Sequence, residues 1–379
     1  MDARDFLTHD QVIDLIKGIG HKRTVLVMGE NGTGKTWLHQ TLSADPFFKD
    51  FIKPTPIDCT QLSDGSLFMP DIDREKGVSR ELPNERLGLS FGNQRGAQNE
   101  RPVLICFDEV AKVPQYVKNM IAPIMYDRRA GTFFMPKGSV VFGLTNLAIE
   151  GLGDSLAAHL RSRLLVVKMR KANAQEWINN FAIPMGLNPI LIACVEENPQ
   201  VLDSFVDYLP GGKYAGKNQA KDNPSIYNPQ EVQDAYASPR TLHAASDILN
   251  AYDMGGFDST TLEQALSGTV GKAFASILMS FIRFGQQVPR NADVLADPGY
   301  APVPSNRIAQ QIVVFRSIAQ TRTRDDAEAY TTYIARLEPE VQSLFLRRVT
   351  EAKGEAMGLY TTINKFGEML TDNRLFFKA

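Results

Sequence analysis

The 379 residues, 43% hydrophobic and 22% charged, suffice for two or three domains with real cores and match an ordinary soluble globular composition. A formal net charge of −2 provides no overall field for gathering polyanions, although a local basic groove stays open. No apolar run approaches a membrane span, and the N-terminus, with Asp2, Arg4 and Asp5, lacks the apolar core of a secretory signal, so a cytoplasmic protein is expected. Cys59, Cys106 and Cys194 are widely spaced and two lie in or near apolar strands, which points to reduced core thiols.

Thr8-His9-Asp10-Gln11 offers a helix start with Thr8 as cap and Gln11 reaching back, and Val12, Ile13, Leu15, Ile16 and Ile19 supply one apolar face. Gly18 and Gly20 end that helix. Thr24 to Met28 then reads as a buried strand. It runs into Gly29-Glu30-Asn31-Gly32-Thr33-Gly34-Lys35-Thr36 and a helix-compatible stretch, Trp37 to Leu42. Strand, glycine-rich turn, Lys-Thr and helix form the P-loop in the setting its chemistry requires. The glycines let successive backbone N–H groups turn inward onto phosphate oxygens, and the helix N-terminus adds partial positive charge. Lys35 would neutralise the β- and γ-phosphates, and the Thr36 hydroxyl would hold Mg²⁺.

Thr55 to Cys59 reads as a second strand, followed by a polar insertion over 61–100, rich in Gly, Pro and Asn. The continuous apolar run Val103 to Phe107 fits a strand buried on both faces and ends in Asp108-Glu109. Downstream of a P-loop, Asp108 would complete the Mg²⁺ shell through water, and Glu109 would act as general base on the attacking water. A helix over Gln115 to Arg128 follows. Val140 to Leu144 forms a further buried strand ending in Thr145-Asn146, whose amide could hold the water or the γ-phosphate; the bland alternative is a turn or capping Asn.

His159-Leu160-Arg161-Ser162-Arg163-Leu164 precedes a fifth strand, Leu164 to Met169. Arg163, with Arg161 beside it, would reach a neighbouring subunit's γ-phosphate, against the plainer reading of two solvated charges. Strands alternating with helices predict a parallel, three-layer α/β domain over 1–171. Beyond Lys171 the pattern is helical, with short candidates at Ala174–Phe181, Pro189–Glu197 and Val201–Tyr208, then a Gly/Lys/Asn/Pro loop over 209–230. Ser238-Pro239-Arg240 opens a helix with Ser as cap and Pro in the first turn, where Arg240 could sense nucleotide phosphates. A long helix over Leu262–Phe284 follows. Pro289 to Pro304 reads as a linker, and amphipathic helices fill 305–379, with Val341, Leu344, Phe345, Leu346 and Val349 as a core face.

These five elements, in this order, resemble an AAA+ ATPase, and Ala237-Ser238-Pro239-Arg240 with Asp108-Glu109-Val110-Ala111-Lys112-Val113-Pro114 resembles its MoxR branch over about residues 8–285. The resemblance implies an α/β core with a five-stranded parallel sheet in the order 5-1-4-3-2, a helical lid over 172–290, and a linker with a helical extension over 291–379. It makes Gly29 to Thr36 Walker A, Asp108 and Glu109 Walker B, Asn146 sensor 1, Arg163 the arginine finger and Arg240 sensor 2. The usual Asp-Arg-Phe at the finger is Ser162-Arg163-Leu164 here, with Arg161 nearby, so either arginine could act.

The same resemblance implies a ring, six subunits in number, that hydrolyses ATP with Mg²⁺ and remodels a protein client, often one bearing a von Willebrand factor A domain. Leu67-Phe68-Met69-Pro70, Leu89-Ser90-Phe91-Gly92 and Phe133-Phe134-Met135 are candidate client grips, against the simpler reading that they pack their own loops. A DNA-dependent motor or loader is the first rival, disfavoured by the near-neutral charge and the lack of a DNA-reading module. A nucleotide-gated scaffold with negligible turnover is the second. Five scattered histidines support no structural zinc.

Overall fold

In the computed structural model, which describes residues 6–89, 101–147, 162–352 and 355–372, Phe6–Leu7 forms strand β1 and pairs in parallel with Lys168 and Met169. Helix α1 (His9–Ile19) starts at the expected reciprocal cap: Gln11 N donates to Thr8 Oγ1, and Thr8 N donates to Gln11 Oε1. The described residues divide into two compact units, Met1–Lys171 with Leu209–Ala215, and Ala172–Tyr208 with Gly216–Ala379.

The first unit continues with β2 (Val25–Gly29), α2 (Trp37–Ala44), β3 (Ile57–Asp58), the hairpin β4 (Phe68–Asp73) and β5 (Val78–Pro83), β6 (Leu104–Asp108), α3 (Gln115–Asp127), the small pair β7 (Arg129–Ala130) and β8 (Phe133–Phe134), β9 (Val140–Asn146) and β10 (Leu165–Met169). The central sheet has six strands in the order β1-β10-β2-β9-β6-β3, every pair parallel. The expected count of five and the full order are thereby corrected, because β1 adds an outer edge beyond β10. The five strands read from the sequence keep the mutual adjacency β10-β2-β9-β6-β3.

Alternate residues of these strands serve opposite faces, as the period of two requires. Leu26, Val103, Ile105, Phe107 and Val141 join Val117, Ile121, Ile124 and Met125 of α3 in one apolar cluster. Val25, Val27, Leu104, Cys106, Phe142 and Leu144 join Val12 and Ile16 of α1 and Leu38 and Leu42 of α2 in another. A sheet covered on both faces explains why its strands read as unbroken apolar runs. Arg128, in left-handed backbone at φ 53, ties the end of α3 to the base of β2 by donating to Thr24 Oγ1 (2.6 Å) and Gly20 O (2.7 Å). Burial pushes the pKa of its guanidinium down to about 10.

Part of the polar insertion is folded: β4 and β5 pair antiparallel from Phe68 opposite Pro83 to Asp73 opposite Val78. Met69, Ile72 and Val78 on this hairpin are exposed, as is Phe134 on β8, whereas Leu67, Leu89 and Met135 are buried. The stretch Ser90-Phe91-Gly92 lies outside the described residues.

The second unit is helical around a single apolar cluster that runs from Ala174 to Met369 and includes Leu344, Phe345 and Tyr360. The continuous helix expected over 262–284 is instead two, Ser259–Val270 and Lys272–Gly285. Gly271 separates them at φ 81 and ψ 151, a region closed to other residues, and a Cβ there would sit 2.7 Å from Ala235 O. The proline-bearing run 289–304 holds the helix Asn291–Ala296, whose Val294 is fully buried. Arg348, also fully buried, is held by Glu196 and by Asn179 Oδ1 at 2.7 Å. Such a pair is hydrogen-bonded on several sides because an unpaired buried charge is costly. All three cysteines are buried and free, and burial pushes each thiol pKa upward. Among the described residues, no helix is long and apolar enough to cross a membrane.

Candidate functional site: the P-loop and the strand ends beside it

Because every strand of the central sheet runs the same way, the C-terminal ends collect along one edge. Met169, Gly29 and Asn146 are in register across β10, β2 and β9, while Asp58 and Asp108 are in register across β3 and β6. The sequence neighbours of β2 lie on neither side of it, so its end is a topological switch point, where open α/β sheets leave a crevice for ligands. The P-loop leaves the sheet there.

Gly32 and Gly34 take φ of 73 and 89, the left-handed conformation that lets the loop curl back before α2 begins. Thr33 Oγ1 donates to Glu30 O at 2.8 Å and closes the curl from inside. Lys35 is only 7% exposed, and its Nζ donates to Gly29 O (2.9 Å) and Glu30 O (2.8 Å), so the ammonium lies beneath the loop. Thr36 immediately precedes α2, and its Oγ1 donates to Asp108 Oδ2 at 3.0 Å. Asp108 Oδ1 accepts from Glu109 N at 2.9 Å, which fixes the carboxylate at both oxygens. A hydroxyl and a carboxylate this close are hard oxygen donors suited to Mg²⁺.

Glu109 turns the chain out of β6 in left-handed backbone, φ 56 and ψ 36. For a residue with a side chain this conformation costs on the order of 1 kcal/mol, and strain of this kind gathers at functional sites. Its Oε1 accepts from Lys112 Nζ at 3.0 Å, while its Oε2 is buried with no hydrogen-bond partner among the described residues. Asn146, 7% exposed, keeps a buried Nδ2 without a hydrogen-bond partner among the described residues. An unmet donor and an unmet acceptor beside the P-loop are the groups that would bind and activate a ligand's water. The residues present therefore fit a magnesium-bound nucleoside triphosphate.

Lys35, Thr36, Asp108, Glu109 and Asn146 are thus brought together. Gly29, Glu30, Asn31, Gly32, Thr33 and Gly34 form the loop around them. Glu30 is itself buried, with Lys171 Nζ 3.9 Å from its Oε1 and both side chains almost wholly out of water. Arg163 is exposed just before β10, its guanidinium over the Tyr126 ring at 5.7 Å from the centroid. Arg161 lies outside the described residues. Arg240 belongs to the second unit, exposed in the first turn of the helix Pro239–Asp253, which Ser238 caps together with Thr241.

Two residues of this region were not anticipated. Lys112 could have been found from its place three residues after Glu109, the reach of one helical turn. Lys171 carried no signal, since its partner Glu30 is remote in sequence.

No family model and no curated protein matches the chain. Among solved structures it is similar to a presumed ATPase from Cytophaga hutchinsonii, at 12% identity and a TM-score of 0.28 over 97% of this chain and 82% of that one. It is also similar to a chain from a structure of two coordinating Pif1 helicases on forked duplex DNA, at 14% identity and a TM-score of 0.25 over 52% of this chain and 49% of that one. A third is the Hef helicase domain of Pyrococcus furiosus, at 12% identity and a TM-score of 0.23 over 91% and 80%.

Proposed function

We propose that this chain is a Mg²⁺-dependent ATPase of the AAA+ kind that works between copies of itself. The observation carrying this reading is the bond from Thr36 Oγ1 to Asp108 Oδ2, which joins the end of the P-loop to the acidic strand end beside Glu109. When bound, Mg-ATP supplies the divalent charge and the terminal phosphoanhydride that water cleaves. The chain's own groups do the rest. Backbone N–H groups of the loop and the Lys35 ammonium would bind phosphate oxygens, and Thr36 and Asp108 would hold the metal. Asn146 Nδ2 orients the γ-phosphate or the attacking water, and Glu109 Oε2 accepts that water's proton.

The finer reading draws on the resemblance of Asp108 to Pro114 and of Ala237 to Arg240 to the MoxR branch. It is a ring of six chains, with Arg163 of one chain serving the nucleotide of the next and Arg240 as the residue that corresponds to the branch's second sensor. The exposed hairpin residues Met69, Ile72, Val78 and Phe134 would face a protein client, with a von Willebrand factor A domain partner as the branch's common associate.

Mixing inactive variants tests the shared site. Arg163→Ala and Lys35→Ala chains, each inactive alone, should regain up to about a quarter of wild-type phosphate release when combined, because some interfaces then pair an intact loop with an intact arginine. No rescue in assemblies shown by mass to contain both variants would remove Arg163 from that role. Absence of phosphate release by the wild-type chain, at saturating Mg-ATP and with candidate partners, would remove the hydrolase reading altogether.

A further inference from the structure

We infer that Lys112 is a positioning residue for Glu109, holding one carboxylate oxygen so that the other is presented as the proton acceptor. The inference rests on the hydrolase reading of the site and extends it to a residue outside the P-loop and the acidic pair. After Glu109 the chain makes a short turn, Val110–Lys112, closed by Lys112 N donating to Glu109 O at 3.1 Å. Val110 and Ala111 are buried, and Val110 Cγ2 lies where a Cβ on Gly143 would be only 3.2 Å away, so the core of the unit fixes the turn. That fixed turn brings Lys112 Nζ to 3.0 Å from Glu109 Oε1.

The consequence is an asymmetric carboxylate. A free glutamate rotates about its last bond and offers two equivalent oxygens. Here Oε1 is engaged by an ammonium, and Oε2 is buried with its acceptor capacity unmet among the described residues. A partly exposed pair three residues apart adds little to stability, so its geometry matters more than its strength. Orientation of a general base by a neighbouring charge is worth far more in rate, since a displacement of about 1 Å can cost up to a hundredfold.

Lys112→Met keeps the stem and removes the charge. It should lower kcat about tenfold while the KM and the directly measured Kd for Mg-ATP stay within about twofold. Lys112→Arg should restore most of the loss. In a Glu109→Gln background, Lys112→Met should cause no further loss, because no base remains to be oriented. A crystal structure of nucleotide-free Lys112→Met provides a readout independent of turnover, and Glu109 should leave its single position or split into alternate rotamers. The inference is overturned by a kcat within about twofold of wild type, by a loss that persists undiminished in the Glu109→Gln background, or by a carboxylate that stays in place. If wild-type phosphate release does not exceed that of Lys35→Ala, it is the hydrolase reading that fails, and the inference falls with it.

Discussion

Replacing Lys35 with alanine is expected to weaken Mg-ATP binding by about a hundredfold or more, roughly 3 kcal/mol. The ammonium lies beneath the loop on the carbonyls of Gly29 and Glu30, with 7% of the residue open to solvent. Opposite charges about 4 Å apart attract by roughly 1 kcal/mol in water and about four times that at the dielectric of a partly enclosed site. Lys35 therefore does most for a phosphate where water is least able to replace it. Alanine also removes the ammonium donor shared by the Gly29 and Glu30 carbonyls, so thermal unfolding should be followed beside titration with a fluorescent nucleotide. Lys35→Met, which retains the stem, should bind nearly as poorly. A Met variant that binds ATP with wild-type affinity would show that this lysine does not hold phosphate.

Glu109→Gln should leave nucleotide affinity within a few-fold and reduce turnover by about 10² to 10⁴, the range general bases contribute. Glutamine keeps the shape of the side chain but cannot accept the water's proton at Oε2. The contrast with Lys35 is the diagnostic: one variant fails to bind, whereas the other binds and does not proceed. Single-turnover measurement separates the chemical step from product release, and the triphosphate should accumulate on the protein. Unchanged single-turnover rates would dismiss Glu109 as base, whatever its strained backbone and unmet oxygen suggest.

What the sequence made legible was local. The P-loop is written in contiguous residues, and its flanks announce themselves as an apolar run and a helix. Asp108-Glu109 and Asn146 are legible because buried parallel strands are continuous in apolar character and stop abruptly at their polar ends. Strand β1 escaped notice because two residues carry no periodicity, and only pairing with Lys168 and Met169 makes them a strand. The β4–β5 hairpin was hidden by Pro70 and Pro83 and by residues whose outward face is mixed rather than polar. The break at Gly271 lay inside a helical pattern apolar on both sides of it, so periodicity carried straight through. Lys171 beside Glu30, and Arg348 on Glu196, depend on tertiary approach between distant segments, which no spacing rule encodes.

The sealing of Cys59, Cys106 and Cys194 inside their units, with each sulfur disfavoured as an anion, has a practical side. Thiol-directed dyes and spin labels attack the anion at an accessible surface, so the native background is quiet in the folded state. A lone cysteine introduced at Val78 or Phe134, both open to solvent, would accept such a reporter on otherwise unaltered protein. Movement of either hairpin during a nucleotide cycle can then be followed by fluorescence or electron resonance.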